Sequence, residues 1–387
     1  MNRAIAFAPM KSALRQVFAL AFLIAVSGLS LSAQVLPVVS WTLSPITNST
    51  DSVSGGITYL NKFETVNTFT TADGSTYFAQ SSAVQADHVY VRRNAVTASN
   101  SFGVMSVQST TSTVVQGTYY STAEQMLLSG NILNTTADTF TNDTTGVTGR
   151  SSNVERIDFV WTAGYTVLTG DVVSVFNVDP STSQDDFRIA IFTGWDSINN
   201  KPTSYVTTGL LINTTTSLSA GTGDGTDAGT GADYGSLLTT NYPTGTGTAS
   251  TSSTSSTWSI LNYTNGDSIT GTGTVVFSSA NQGIGGAAIK LSDLGVSTGQ
   301  TIYGYSIMAP DVTPLVASDL VDWNNSTFYP TNTNQTEGTA DFSTFGGRFI
   351  RPIPEPSTYG AIFMGTGLVA YGLRRRRLSR SPADDRE

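Results

Sequence analysis

Short stretches in which apolar residues alternate with polar or small ones recur through the middle of the chain. They are rich in β-branched and aromatic residues and are bounded by Gly, Asn, Asp or Pro, which is typical of β-strands. The clearest examples are residues 156–161, 171–178, 187–192, 273–277, 287–291 and 301–307. Many short strands with little helical periodicity predict an all-β body, a β-sandwich or jelly roll.

One short segment has the signals of a helix instead. Residues 122–129 are preceded by Ser121 and contain Glu124, a pair spaced as in a capping box. Gly130 follows the segment and predicts its end. The sequence therefore predicts a single helix over residues 122–129, with Ser121 as its N-cap.

A Thr-, Ser- and Gly-rich tract interrupts the strand pattern at residues 213–257. It has little apolar surface to bury, so we expect a long mobile insertion or linker. Just after it, the dipeptide Asn265-Gly266 separates two strand-like stretches and predicts a hairpin turn. We expect residues 34–350 to form one sandwich that carries this insertion, because the part beyond residue 257 contains few strands.

The N-terminal 33 residues have the three parts of a secretory signal peptide. Arg3, Lys11 and Arg15 form a positive region, and an apolar stretch follows at residues 17–26. Small residues near Ala33 then predict cleavage after that residue. We therefore expect residues 1–33 to be removed on export.

The C-terminal tail, residues 351–387, combines three signals in a fixed order. Prolines flank an acid in Pro354-Glu355-Pro356, and their rings favour an extended, accessible chain. Residues 359–373 contain no charge and predict a single transmembrane helix, although 15 residues is short of the roughly 20 that span a bilayer. The cluster Arg374-Arg375-Arg376-Arg377, within a basic stop at residues 374–380, predicts a cytoplasmic end.

This three-part tail resembles the PEP-CTERM sorting signal of exported proteins in Gram-negative bacteria. The resemblance implies that Pro354, Glu355 and Pro356 are recognised by exosortase, a membrane-embedded transpeptidase-like enzyme. It also implies an intermediate anchored in the inner membrane, followed by delivery to the cell envelope or the outside. Members of this group are associated with extracellular polysaccharide and biofilm. The sequence departs from the usual pattern by Ile353 before the triplet and by residues 381–387 after the arginines.

Composition and charge are consistent with export. The chain contains no cysteine, which excludes disulfides, thiolate metal sites and a cysteine nucleophile. Residues 34–353 carry 24 acidic and ten basic side chains, a formal net charge of about −14. Because such a surface repels phosphate backbones, we expect no nucleic-acid partner.

The sequence offers few groups for catalysis. His88 is the single histidine and lies in an alternating stretch, where a position on a strand surface is expected. A pair of carboxylates could support glycoside hydrolysis. The candidates for such a pair are Glu64, Glu155, Asp158 and Asp186. No motif surrounds any of them, so we expect solvated surface carboxylates, a non-enzymatic protein and no obligatory cofactor.

Two acidic turns are candidate calcium sites, since hard cations prefer carboxylate oxygens held in loops. The first contains Asp179, Asp185 and Asp186, and the second contains Asp224 and Asp227. Neither has the spacing of an EF-hand loop. Solvated turns without metal are the alternative.

Tryptophans provide the last candidate chemistry. Trp161 ends an alternating stretch and is expected in the core, whereas Trp195 and Trp323 lie in loop-like sequence and are candidate glycan contacts. The resemblance of the tail implies an exported envelope or matrix protein with a structural or adhesive role around polysaccharide. The alternative is a carbohydrate-binding or glycoside-hydrolysing module.

Overall fold

The computed structural model describes most of the body. The described residues are 35–79, 83–94, 100–141, 151, 153–178, 186–213, 232–233, 238–240, 246–249, 256–264, 274–282, 284–331, 333, 340–343 and 346–352. The predicted signal peptide and the tail from residue 353 onward lie outside them.

The described chain is built almost wholly from strands. Those before the helix are β1 (Val35–Leu43), β2 (Thr47–Asn48), β3 (Ser52–Ser54), β4 (Ile57–Tyr59), β5 (Lys62–Phe63), β6 (Val66–Thr71), β7 (Thr76–Phe78), β8 (Ala83–Gln85), β9 (His88–Arg93), β10 (Ser101–Thr111) and β11 (Val114–Val115). Helix α1 (Ala123–Ser129) follows.

The remaining elements come after that helix. They are β12 (Asn134–Thr136), β13 (Val154–Thr166), β14 (Val172–Val178), β15 (Phe187–Asp196), β16 (Lys201–Tyr205), β17 (Leu210–Asn213), β18 (Ala232–Asp233), β19 (Leu238–Thr240), β20 (Thr246–Ala249), β21 (Ser256–Thr264), β22 (Thr274–Gln282), β23 (Ile284–Lys290), β24 (Thr301–Met308), a 3-10 helix (Ala317–Leu320) and β25 (Arg348–Ile350). The predicted all-β class is confirmed, and each of the six predicted strands overlaps an observed one.

Within the described residues the strands form three large sheets and a two-stranded ribbon of β2 and β5. The nine-stranded sheet has the order β7-β6-β1-β20-β19-β23-β14-β25-β8. A second sheet, here the β10 sheet, runs β22-β21-β10-β11-β4-β3 with β12 beside β10. The third, here the β13 sheet, runs β18-β17-β15-β24-β13-β9 with β16 beside β15. The sheets are thus arranged as in a barrel or sandwich.

The nine-stranded sheet is buried on both faces in its middle. Every residue of β14 is buried, and alternate residues of this strand contribute to different hydrophobic clusters. Val173 and Val175 belong to a large cluster that includes the apolar face of the β13 sheet. Val172 and Phe176 belong to a second cluster that includes side chains of β10 and β21. Because successive side chains of a strand point to opposite faces of the sheet, this one strand contributes to both hydrophobic clusters.

Strands from both sides of the low-complexity tract pair with each other. β13 pairs with β24, β14 with β23 and β10 with β21, all antiparallel. Parts of the tract itself pair too, because β20 lies beside β1 and β19 lies beside β20. Composition alone predicted no regular structure there. The flanks of the tract consequently form one body.

The helix begins one residue later than the sequence predicted. Thr122, not Ser121, is the N-cap, and its hydroxyl accepts a hydrogen bond from the Gln125 amide at 3.1 Å. The Gln125 side chain in turn accepts one from the Ser121 amide at 3.1 Å. Two overlapping pairs in the sequence, Ser121 with Glu124 and Thr122 with Gln125, satisfy the capping pattern, and the helix uses the second. Gly130 ends the helix as predicted, in the left-handed conformation with φ of 72°.

The predicted hairpin is described only in its strands. β21 and β22 pair antiparallel, with Asn262 opposite Thr274. The proposed turn at Asn265-Gly266 lies outside the described residues.

Candidate functional site

Charged side chains occupy the face of the β13 sheet that points away from its apolar cluster. Arg156 and Asp158 are two residues apart on β13, so both project from the same face. The strand register places Asp158 between Tyr90 of β9 and Ser306 of β24. Pairing therefore brings polar groups of three strands together in the middle of one sheet.

Asp158 is fully buried and is held by two arginines and a hydroxyl. Arg92 donates from Nε to Asp158 Oδ2 at 2.7 Å, and Arg156 Nη2 donates to the same oxygen at 3.2 Å. Arg156 Nε forms an ion pair with Oδ1 at 2.7 Å, and the Ser306 hydroxyl donates to Oδ1 at 2.6 Å. Burial acts to raise the pKa of Asp158, but the two positive charges outweigh it and hold that pKa below its usual value. We call Arg92, Arg156, Asp158 and Ser306 the Asp158 cluster.

Segments outside the sheet complete this cluster. Arg156 donates from Nη1 to the carbonyl oxygen of Leu320 in the 3-10 helix. Arg92 donates from Nη2 to the carbonyl oxygen of Asn200 in the turn between β15 and β16. Because the Ser306 proton goes to Asp158, the Tyr205 hydroxyl donates to Ser306 Oγ, at 2.7 Å. The cluster thus connects three strands, one hairpin and the segment after β24.

An aromatic row covers the cluster on its outer side. The guanidinium carbons of Arg92 and Arg156 lie 4.8 and 5.0 Å from the ring centroid of Trp323. Arg92 also lies 4.7 Å from the Tyr90 ring, and the Tyr90 and Trp195 rings are 5.6 Å apart. Cation–π contacts of this kind strengthen when they exclude water. We call Trp195, Tyr90, Arg92 and Trp323 the aromatic row.

The row joins the two tryptophans that the sequence singled out. Trp195 belongs to β15 rather than to a loop, because β16 pairs with β15 as far as Asp196. Trp323 does lie in irregular chain, and its indole N–H donates to the Arg93 carbonyl at 3.2 Å. Both rings are half-buried, and the side chains that connect them, Tyr90 and Arg92, carried no signal in the sequence. Trp161, predicted in the core, is buried.

One end of the row opens into solvent at the start of β9. The His88 and Tyr90 ring centroids are 6.0 Å apart. His88 Nδ1 lies 3.0 Å from Glu124 Oε1, and the two side chains are 49% and 43% exposed. His88 therefore has the strand-surface position that the sequence predicted. This exposed end combines aromatic faces with polar groups, a chemistry suited to stacking and hydrogen bonding of sugars.

The four carboxylates proposed for glycoside hydrolysis do not have the expected environment. Glu64, Glu155, Asp158 and Asp186 are all buried, where a solvated surface was expected. Asp158 is engaged by the two arginines, and Asp186 lies next to the start of β15. Burial of these groups follows from sheet pairing and packing, which the sequence around each residue does not reveal.

Glu64 differs from the other buried carboxylates. It lies between β5 and β6, and neither carboxylate oxygen has a hydrogen-bond partner among the described residues. Burial raises the pKa of Glu64 to about 8. Its backbone is fixed on both sides, because its N–H donates to Asn131 Oδ1 at 3.1 Å and its carbonyl accepts from Ile132 N at 2.9 Å. Glu64 is therefore protonated at neutral pH.

The candidate calcium turns fall mostly outside the described residues. Asp179, Asp185, Asp224 and Asp227 lie there, and Asp186 is buried at the edge of the first turn. In the part of the chain that the structure describes, no three acidic or histidine side chains are grouped as metal ligands. Calcium at these turns stays a prediction.

The junction between body and tail is well fixed. β25 pairs with β14 on one side and with β8 on the other. Directly after it, Arg351 Nε lies 3.4 Å from Asp171 Oδ1, and Arg351 Nη2 donates to the Tyr165 hydroxyl at 3.3 Å. The Tyr165 hydroxyl donates to Asp171 Oδ2 at 2.6 Å. Burial raises the pKa of Tyr165 to about 12, so this hydroxyl keeps its proton.

Pro352 is the last described residue and contacts two further parts of the body. It forms an isolated antiparallel bridge with Tyr77 of β7, so the nine-stranded sheet curls back on itself. Its ring also packs on Gly170, which has φ of +83° and where a Cβ would lie 2.9 Å from Pro352 Cγ. Only glycine tolerates both conditions at residue 170.

Pro354, Glu355, Pro356 and the arginines 374–377 lie outside the described residues, as does the predicted membrane segment 359–373. Among the residues that the structure describes, no helix has the length and apolar character needed to span a bilayer.

Comparison with known protein families gives one finding. The family model for the PEP-CTERM protein-sorting motif matches residues 352–377. The chain carries a PEP-CTERM motif. The match covers the tail that the sequence singled out and confirms the resemblance. Searches of the curated proteins and of the solved structures find no match to this chain.

The PEP-CTERM motif indicates a protein that is exported, crosses the inner membrane and is sorted by an exosortase. It begins at Pro352, two residues after β25 ends. The motif therefore follows the folded body with almost no intervening chain.

Proposed function

We propose that this protein is a non-enzymatic component of the cell envelope or extracellular matrix, with a structural or adhesive role around polysaccharide. The observation that carries the proposal is the PEP-CTERM motif at residues 352–377, which begins two residues after the last strand of the β body. Proteins that carry the PEP-CTERM motif are associated with bacteria that produce extracellular polysaccharide. A stable β body delivered to the cell surface suits a matrix role.

The environment of Asp158 supports this role over glycoside hydrolysis. A hydrolase needs one carboxylate that gives a proton and a second one a few ångströms away that stays ionised, both open to substrate. Asp158 is instead enclosed by Arg92, Arg156 and Ser306. Its contacts stabilise the junction of several segments, which is a structural task.

The test of sorting compares two variants of the full-length chain in a bacterium that has an exosortase. Intact mass of the mature wild-type protein should lack residues 374–377. Glu355→Ala should leave a membrane-retained chain that keeps them, because the recognised acid is gone. Asp385→Ala, outside the matched motif, is the control and should be processed normally. A full-length chain as the main steady-state form of the wild type would contradict the proposal.

The second candidate function is carbohydrate binding by the body, and the aromatic row favours it. Trp195 and Tyr90 offer half-buried rings, and His88 and Glu124 add exposed polar groups beside them. Trp323 is less suited, because guanidinium groups lie against its ring. We infer that sugars would stack at the Trp195 and Tyr90 end of the row.

Glycan binding is tested with the processed protein on an array of bacterial polysaccharides. Trp195→Ala should weaken binding about tenfold, corresponding to one lost stacking contact of roughly 1.4 kcal/mol. Phe78→Ala is the matched control, since Phe78 is an exposed aromatic on β7 of the nine-stranded sheet. Equal binding by both variants would exclude the row as a glycan site.

A further inference from the structure

The sorting motif begins inside the folded surface. Pro352, the first residue of the matched motif, bridges Tyr77 and packs on Gly170. Only Ile353 separates Pro352 from the recognised triplet. The recognised triplet therefore starts two residues beyond a residue that is fixed on the body.

The residues just before the motif are held by more than chain connectivity. Arg351, 43% exposed, reaches back to the buried carboxylate of Asp171 and to Tyr165. Asp171 is fixed by the Tyr165 hydroxyl and by the Leu168 amide, which donates to Oδ2 at 2.7 Å. The carboxylate is therefore in place before Arg351 binds to it. We call Arg351 and Pro352, with their contacts to Asp171, Tyr165, Tyr77 and Gly170, the junction latch.

A peptide-cleaving or transpeptidase-like enzyme binds its substrate as an extended strand, with residues on both sides of the reacting bond. Upstream of the triplet, those residues are Ile353, Pro352 and Arg351. The last two are bound to the body while the latch is closed. An enzyme groove would then have to bind residues that already contact Tyr77, Gly170 and Asp171 of the body.

We propose that Arg351 and Asp171 are positioning residues that hold the sorting motif against the body, and that an exosortase-type enzyme acts on the form in which the junction latch has opened. This inference rests on the proposed sorting function. The latch consists of an ion pair of 3.4 Å, a hydrogen bond of 3.3 Å and the contacts of Pro352, all of which follow β25. It can therefore open while β25 stays paired with β14 and β8. Latch opening makes processing depend on the fold of the body as well as on the triplet.

The experiment follows the processing rate of the full-length chain by pulse-chase in a host with an exosortase. Insertion of an eight-residue Gly-Ser linker after Pro352 frees the triplet while leaving every body residue unchanged, and should speed processing severalfold. Arg351→Gln should speed it about two- to fivefold, which converts to roughly 0.4–1 kcal/mol, the range for a partly exposed ion pair. Arg351→Lys keeps the charge facing Asp171 and should restore a rate near that of the wild type.

The matched control is Lys290→Gln. Lys290 pairs with Asp73 at 3.6 Å in the same sheet, is also partly exposed, and does not hold residues 351–352. Lys290→Gln should leave the processing rate unchanged and should have only a small effect on the melting temperature. Linker insertion and Arg351→Gln variants that both process at the wild-type rate would overturn the latch. If the wild type itself is not processed, as Glu355→Ala is not, the sorting function fails and the latch with it. A linker variant that stays unprocessed while the wild type is processed would overturn the latch alone.

Discussion

Two buried carboxylates in this protein have opposite environments. Asp158 lies in the middle of the β13 sheet, where two arginines and a serine hydroxyl satisfy its oxygens. Glu64 lies between β5 and β6, with no hydrogen-bond partner on either oxygen among the described residues. Both are sealed from water. The difference shows that burial alone does not decide the charge of an acid, because neighbouring groups do.

The two acids should therefore change the free energy of unfolding in opposite directions as pH rises. The pKa of Asp158 is lowered in the folded state, so its contribution is present above the unfolded pKa and is lost as pH falls through the folded one. The pKa of Glu64 is raised to about 8, so the folded state keeps a proton that the unfolded state releases above about pH 4.5. Rising pH between 4.5 and 8 consequently destabilises the protein through Glu64.

The largest expected loss of stability comes from removing the negative charge of Asp158. Asp158→Asn leaves Arg156 and Arg92 in the interior without their negative partner. Removing one member of a buried ion pair costs about 3–5 kcal/mol. The free energy of unfolding at pH 7, measured by urea denaturation of the exported protein, should fall by that amount.

A double variant separates charge imbalance from lost packing. Asp158→Leu combined with Arg156→Met removes one negative and one positive charge, so the cluster keeps its net charge of +1 from Arg92, whereas Asp158→Asn alone raises it to +2. The double variant also keeps apolar volume and should be less destabilised than Asp158→Asn. If the double variant is the less stable of the two, the cluster contributes through hydrogen-bond geometry rather than through charge compensation.

At Glu64, whose charge is not compensated, a substitution should raise the free energy of unfolding instead of lowering it. Glu64→Gln cannot ionise and keeps nearly the same shape, so at pH 7 it should be more stable than the wild type by about 2–3 kcal/mol. At pH 4, where the wild-type acid is protonated in both states, the two proteins should melt alike. Thermal melts across pH 4 to 8 measure the difference.

An exposed aspartate provides the control for this pH series. Asp51→Asn removes a surface carboxylate and leaves Glu64 unchanged, so the fall in stability between pH 4.5 and 8 should persist. A wild-type curve that is flat between pH 4.5 and 8 would mean that Glu64 has partners or water that satisfy its charge.

The strands were predictable from sequence, and the sites were not. Period-two alternation located β13 and β15, because pairing in a sheet imposes that period on any strand with one apolar face. Asp158 was expected to be a solvated surface carboxylate because no motif surrounds it, and no position was predicted for the Arg156 side chain. Both side chains are buried because the hairpin of β15 and β16 and the chain around Leu320 cover that face, and neither is close to them in sequence.

In the C-terminal tail, by contrast, the functional motif itself was predictable from sequence. Its three signals are local and ordered along the chain, so the sequence was sufficient to identify the PEP-CTERM motif. The junction latch was invisible there, since Arg351 and Asp171 are distant in sequence and meet only when β25 pairs with β14. Trp195 and Trp323 were identified one by one, while the contact through Tyr90 and Arg92 needed the fold.

The smallest expected effect tests how the Asp158 site is tuned. Ser306→Ala removes the hydroxyl that donates to Asp158 and leaves the buried Tyr205 hydroxyl without its acceptor. The loss should be about 1–2 kcal/mol at pH 7, as for one buried hydrogen-bond partner. Because the Ser306 hydrogen bond helps to lower the pKa of Asp158, its removal raises that pKa. Acid unfolding should then begin at a higher pH than in the wild type.

Tyr205→Phe keeps the Ser306 contact to Asp158, so its acid midpoint should match the wild type. Equal acid midpoints in all three proteins would show that the arginines alone set the charge of Asp158.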